Sequence, residues 1–254
     1  MRTRVKPHVL TEHAALAALT AMERGRLDHV ALSIPPVHSA VPGLPATAVG
    51  LRGRPLLLRW VTVVSGAEAL GFTFPAVVGA TTASDASSVA VPALLAAGLI
   101  EGTFLGVGQA IVLRRAVPDL LPRRWVLATA VGAMIAYALG LVPSTLGVDW
   151  TRSATVAGAI VLGVLILVTL GVAQWLVVRR HVRHAYLWIL ITAGAWLAGM
   201  AVFLGFSTPL WQEGQSLLAA IGIGVVGGLL MAVVTAGITG VGLVKMLSAD
   251  DRKT

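Results

Sequence analysis

The chain has 254 residues, of which 57% are apolar and only 12% charged, with 28 glycines; that profile belongs to a membrane-embedded protein and excludes an ordinary soluble domain. The formal net charge is +8, yet the basic residues stand in short clusters beside apolar runs, so an anionic membrane surface is the expected partner and nucleic acid is not. Because there is no cysteine, disulfides, thiolate catalysis and cysteine-ligated zinc or iron–sulfur centres are excluded.

Residues 1–56 contain no apolar run long enough for a secretory signal or a spanning helix, so the first segment is expected to insert uncleaved. Thr11 can cap a short helix in which Ala15, Ala18, Leu19 and Met22 recur on one face, ending near Gly25. Pro35, Pro36, Pro42 and Pro45 then make residues 28–50 read as an extended linker. The tail is expected to be cytoplasmic and not a stable domain by itself.

Six apolar segments follow, at 57–79, 91–113, 125–146, 154–178, 186–206 and 217–247, each long enough to cross a hydrocarbon core. The expected fold is an all-α integral membrane protein, with a six-helix bundle over residues 57–247 and a cytoplasmic tail over 248–254. The last segment would be roughly 46 Å long as one helix. It is expected to extend beyond the outer surface or to break near Gly222, Gly224, Gly227 and Gly228.

Lys and Arg are retained on the cytoplasmic side of short loops. Arg52 and Arg54 precede the first segment and Arg59 stands at its start, Arg114, Arg115, Arg123 and Arg124 bound the second loop, and Arg179, Arg180 and Arg183 stand in the fourth. The opposite loops carry Asp85, Asp149 and Glu213, with Arg152 as their only basic residue. Both termini are therefore expected in the cytoplasm. Trp60, Trp125 and Trp188 would anchor the inner interface, and Trp150 and Trp211 the outer one.

Arg59-Trp60-Val61 returns as Arg124-Trp125-Val126, and Trp188 begins the fifth segment at a similar spacing. Gly106, Gly171 and Gly240 lie near the ends of the second, fourth and sixth segments. The expected unit is thus a helical hairpin of about 65 residues present three times as a parallel repeat. Gly106, Gln109, Arg114, Arg115 and Trp125 match Gly171, Gln174, Arg179, Arg180 and Trp188. With these residues the chain resembles uncharacterised bacterial polytopic membrane proteins carrying tandem G-x-x-Q-x-x-V/L-x-R-R segments, each followed by a Trp-led helix. The third copy departs, with Leu243 in place of Gln and Ser248 and Ala249 in place of the arginines. The resemblance implies this architecture and a place in a bacterial cytoplasmic (inner) membrane, and supplies no activity.

Small residues four apart let helices approach closely in lipid. Gly98, Gly102 and Gly106 form such a ridge on the second helix, Ala128, Gly132, Ala136 and Gly140 on the third, and Gly224, Gly228 and Gly240 on the sixth. All are read as internal packing. Gln109 and Gln174 are read as amides that bond neighbouring helices.

Glu68 and Glu101 each interrupt an apolar segment near the midplane, where an ionised carboxylate is expensive. The short loop between their helices makes them expected neighbours. Two close acids in low dielectric cannot both ionise cheaply, so one or both should hold a proton or share a cation. Ser65 and Thr103 could supply further oxygens, and Pro75 leaves the Gly71 carbonyl without its helical donor. Two readings stay open: neutral, hydrogen-bonded acids that stabilise the hairpin, or part of an ion, proton or substrate route.

No histidine lies in a spanning segment and no H-E-x-x-H occurs, so intramembrane hydrolysis by a Ser-His pair or zinc is not expected. His181 and His184 flank Arg183 in a loop better suited to anionic lipid than to a metal. Arg114, Arg115, Arg179, Arg180 and Arg183 are the expected anionic-lipid contacts. No catalytic residue, metal or cofactor is assigned, and enzymatic activity is not expected. Two functional classes result: a small transporter or channel-like protein using the glutamates, and a noncatalytic scaffold or accessory subunit recruiting a cytoplasmic protein through residues 1–56.

Overall fold

A computed structural model describes residues 50–146 and 153–251. The short helix expected after Thr11, the proline-rich linker, Asp149, Trp150, Arg152 and the last three residues lie outside the described residues. Within them the chain forms six α-helices: α1 Gly53–Thr81, α2 Ser87–Ala116, α3 Pro122–Leu146, α4 Ser153–Val178, α5 Leu187–Leu210 and α6 Leu217–Asp251. All six are long and apolar enough to cross a membrane. The protein is a polytopic all-α membrane protein built as a six-helix bundle.

Most of the helices outrun their apolar segments, because a backbone hydrogen-bond ladder begun in the apolar region continues into flanking polar residues such as Arg54, Arg114 and Arg115. The helix α6 corrects the expectation of a break: it is one uninterrupted helix of 35 residues, about 52 Å long at 1.5 Å per residue. Two of its glycines serve packing instead. A side chain at Gly227 would meet the Phe203 ring and one at Gly228 the Phe72 ring, and these two rings touch edge to face at 5.5 Å across the helix.

Backbones approach between consecutive helices, and α6 returns to pack on α1, so the bundle is a closed ring. Glycine makes several seams possible. A Cβ built on Gly106 of α2 would stand 3.0 Å from the Val126 Cα of α3, and one on Gly171 of α4 would stand 2.9 Å from the Ile189 Cα of α5. Gly102 abuts Ala130 and Ala133, Gly98 seats the Tyr137 ring, and Gly240 lies against Leu57 and Trp60.

Of the ridge expected on α3, Gly132 meets Leu170 and Ala173 of α4. Gly140 has no atom within 4 Å of the position of a Cβ, and Ala128 and Ala136 are half-buried. Ala136 and Gly140 border a cavity, described below. Gly224 makes only an ordinary contact, 3.6 Å to the Ala76 Cβ.

The ends of the ring are tied where the chain enters α1. The Leu51 amide donates to the Arg115 carbonyl at 2.9 Å, and the Arg52 guanidinium donates to the Ala116 carbonyl at 2.6 Å while pairing with Asp251 at 2.8 Å. The ion pair is solvent-exposed, so it contributes at most about 1 kcal/mol. The carbonyls it helps to satisfy are helix-end groups that lack intrahelical donors.

Candidate functional site

The end of the bundle that holds Arg114, Arg115, Arg179, Arg180 and Arg183, all exposed, is called the basic end here. Just inside it the ring is filled by tryptophan. Trp60, Trp125 and Trp188 are no more than 2% exposed, and Trp188 lies 6.0 Å from each of the other two rings. This corrects their expected role as interfacial anchors. An indole can leave the interface when its N–H finds a partner inside, and each of these does.

Trp125 donates to Gln109 Oε1 at 2.9 Å, Trp188 to Gln174 Oε1 at 2.8 Å, and Trp60 to Thr239 Oγ1 at 3.0 Å. The Gln174 amide then donates to Gln109 Oε1 at 2.8 Å and to Thr129 Oγ1 at 3.0 Å. The chain of bonds crosses from α2 through α3 and α4 to α5. It gives both glutamines the interhelical role read from the sequence. Thr239 on α6 was missed because a threonine carries no recognisable motif.

Halfway along the bundle the interior changes character. A cavity of about 600 Å³ is lined by residues of all six helices, including Glu68 and Glu101. Its walls are chiefly Leu, Ile, Met, Ala and Gly, and they extend through Leu94, Leu141 and Met200 toward the end opposite the arginines. Glu68 and Glu101 are 2% and 4% exposed. Helices α1 and α2 meet directly beside them, since a Cβ on Gly71 would stand 3.1 Å from the Glu101 Cα.

The two acids differ in what holds them. Glu101 Oε2 accepts a 2.6 Å hydrogen bond from the Tyr137 hydroxyl, a residue the sequence reading did not single out. Its signal was available: a phenol inside an apolar segment needs a partner. Neither carboxylate oxygen of Glu68 has a hydrogen-bond partner among the described residues, and neither does the buried hydroxyl of Thr192. Glu68 and Thr192 share a second, much smaller chamber of about 10 Å³, bordered by Gln109, Gln174, Thr235 and Thr239. Glu68 therefore stands where the large apolar cavity meets a small polar chamber, with the tryptophan layer beyond.

The two hydroxyls expected to join the glutamates do not. Ser65 is buried but directs its hydroxyl to the Ala232 carbonyl at 3.4 Å. Thr103 is exposed on the outside of α2 and donates to the Leu99 carbonyl of its own helix at 2.7 Å. Helical phase is the reason, because Thr103 follows Glu101 by two residues and so points away from it.

No group of three or more His, Asp or Glu side chains suited to a metal occurs among the described residues. Arg183, His184 and Lys245 rim a groove of about 510 Å³ between α5 and α6, whose walls include Leu190, Ile191, Ile238 and Val241. His181 bridges two loops, its ring nitrogens lying 3.2 Å from the Val177 carbonyl and 3.1 Å from that of Asp119. No protein-family model matches the chain, and neither curated proteins nor solved structures show significant similarity to it.

Proposed function

We propose that the protein is a small transporter that binds its cargo at Glu68 and Glu101. The observation that carries the reading is Glu68: a buried carboxyl without a hydrogen-bond partner among the described residues, at the junction of a cavity large enough for a solute and a small, partly polar chamber. An acid retained in that setting, where glutamine or leucine would be cheaper, serves by exchanging a proton or a cation. The tryptophan layer supplies the barrier at the basic end, and the cavity supplies access from the other. With the basic end in the cytoplasm of a bacterial cell, this is an outward-facing arrangement. The reading is of a carrier and not of an enzyme.

The proposal includes a parallel repeat of three hairpins, as in the tandem-repeat membrane proteins that the chain resembles. The bonding supports a register for the third copy different from that expected at Gly240. Gln109 and Gln174 are 65 residues apart, and the same step from Gln174 reaches Thr239, the partner of Trp60. In this register Ala236 replaces the motif glycine and Lys245 the second arginine. Lys245 and Arg183, above the apolar groove between α5 and α6, then join Arg114, Arg115, Arg179 and Arg180 as contacts for anionic lipid.

Flux in proteoliposomes tests the transport reading. Glu68→Gln and Glu101→Gln, singly and together, should leave thermal stability in detergent within about 1 kcal/mol of wild type, because the replacements are nearly isosteric. The double variant should lose proton-linked or cation-linked flux. Flux equal to wild type in the double variant would remove the proposal.

A further inference from the structure

We propose that the cargo is a lipophilic cation, whose apolar body fills the large cavity and whose single positive charge rests beside Glu68 and Glu101. The inference depends on the transport reading and deepens it by naming the class of solute.

The cavity makes the selection. At about 600 Å³ it has the size of a site for a small organic molecule, far larger than a bare metal ion requires. A small hydrated ion would have to give up water against Leu, Ile and Met walls that return no oxygen ligands, which is costly. An anion is rejected by the two carboxyls. A neutral apolar molecule would fit the walls but would leave the acids unused and Glu68 still without a hydrogen-bond partner among the described residues. A molecule that is apolar over most of its surface and carries one delocalised or shielded positive charge answers both features. Phe72 and Trp196, on the same cavity wall, add aromatic faces able to attract a cation.

Binding then exchanges charge for charge. An acid that holds a proton before the cation binds loses it as the cation arrives: the carboxyl O–H bond breaks, the proton passes to bulk water, and a carboxylate–cation pair remains, with no change of oxidation state. The titratable groups facing this event are Glu68 from α1, Glu101 from α2 and Tyr137 from α3; α4, α5 and α6 line the cavity without one. Tyr137 positions Glu101 through its 2.6 Å bond, so Glu68, which has no such bond, is the carboxyl expected to make the exchange.

The test uses purified full-length protein and tetraphenylphosphonium. Binding is followed by calorimetry in two buffers of different ionisation enthalpy, which reports proton release, and by quenching of tryptophan fluorescence. Wild type should bind with release of about one proton per cation. Triphenylphosphine oxide, an uncharged molecule of related shape, should fail to compete. Glu68→Gln should bind more weakly by on the order of a hundredfold, the loss that accompanies removal of one partner of a buried charge pair, whereas Thr103→Val should bind as wild type does. Equal binding by Glu68→Gln, or competition by the neutral oxide, would overturn the proposal and leave an apolar cavity indifferent to charge. Absence of phosphonium binding together with glutamate-dependent flux of protons or sodium would overturn the substrate class and leave the transport reading standing. Absence of both would overturn both.

Discussion

Near the basic end, three tryptophans fill the axis of the ring, and their indole N–H groups are all bonded to Gln109, Gln174 or Thr239. Halfway along, Glu68 lies just as deep with neither oxygen bonded among the described residues, beside a cavity of about 600 Å³. Both regions place polar groups in an apolar interior, where each unmade hydrogen bond costs about 1–3 kcal/mol. The first region recovers that cost internally and has no space for anything else. The second leaves it outstanding beside the large cavity. On the transport reading proposed above, closure and occupancy fall at different depths of one bundle.

The sharpest way to break the contrast is to spoil the seam that supports both regions. A Cβ on Gly102 would stand 2.9 Å from the Ala130 Cα, so Gly102→Leu must push α2 from α3. We expect it to yield no monodisperse protein on size exclusion; a normal elution profile would show that the seam tolerates a side chain.

Leucine at the two depths should then act in opposite senses. Gln174→Leu removes the acceptor of Trp188 and the donor to Gln109 and Thr129, and should lower stability by about 2 kcal/mol, read as a fall in melting temperature in detergent. Glu68→Leu strands no donor and should be neutral or stabilising while abolishing flux. A loss of stability at Glu68 as large as that at Gln174 would mean that the acid has a structural partner.

The smallest expected effects concern threonine. Thr239→Val leaves the Trp60 N–H without its acceptor and should cost about 1 kcal/mol, with altered tryptophan emission; Thr103→Val, facing outward, should stay within about 0.5 kcal/mol of wild type. Equal melting temperatures for the two would undo the register that places Thr239 beside Gln109 and Gln174.

Membrane class, the number and order of the helices, and the isolation of Glu68 and Glu101 within apolar segments were legible in the chain, because hydropathy and segment length are local properties that survive without tertiary contacts. The matching glutamines were legible too, since a repeated amide in an apolar helix must bond to something. What was not legible is which side of each helix faces the axis. In a soluble bundle the apolar stripe marks the inner face, but here lipid and interior are both apolar, and exposed residues include Leu70, Leu127, Ile160, Leu190 and Leu218. Thr103 and Glu101 could therefore both be read as inward, Trp60, Trp125 and Trp188 as lying in the interface, and Gly140 as a contact. Closure of the ring settled these positions, by turning three tryptophans from separate helices toward one another and leaving α3 to border a cavity. Neither arrangement has a local signal, because each arises from helices distant in sequence meeting around a common axis.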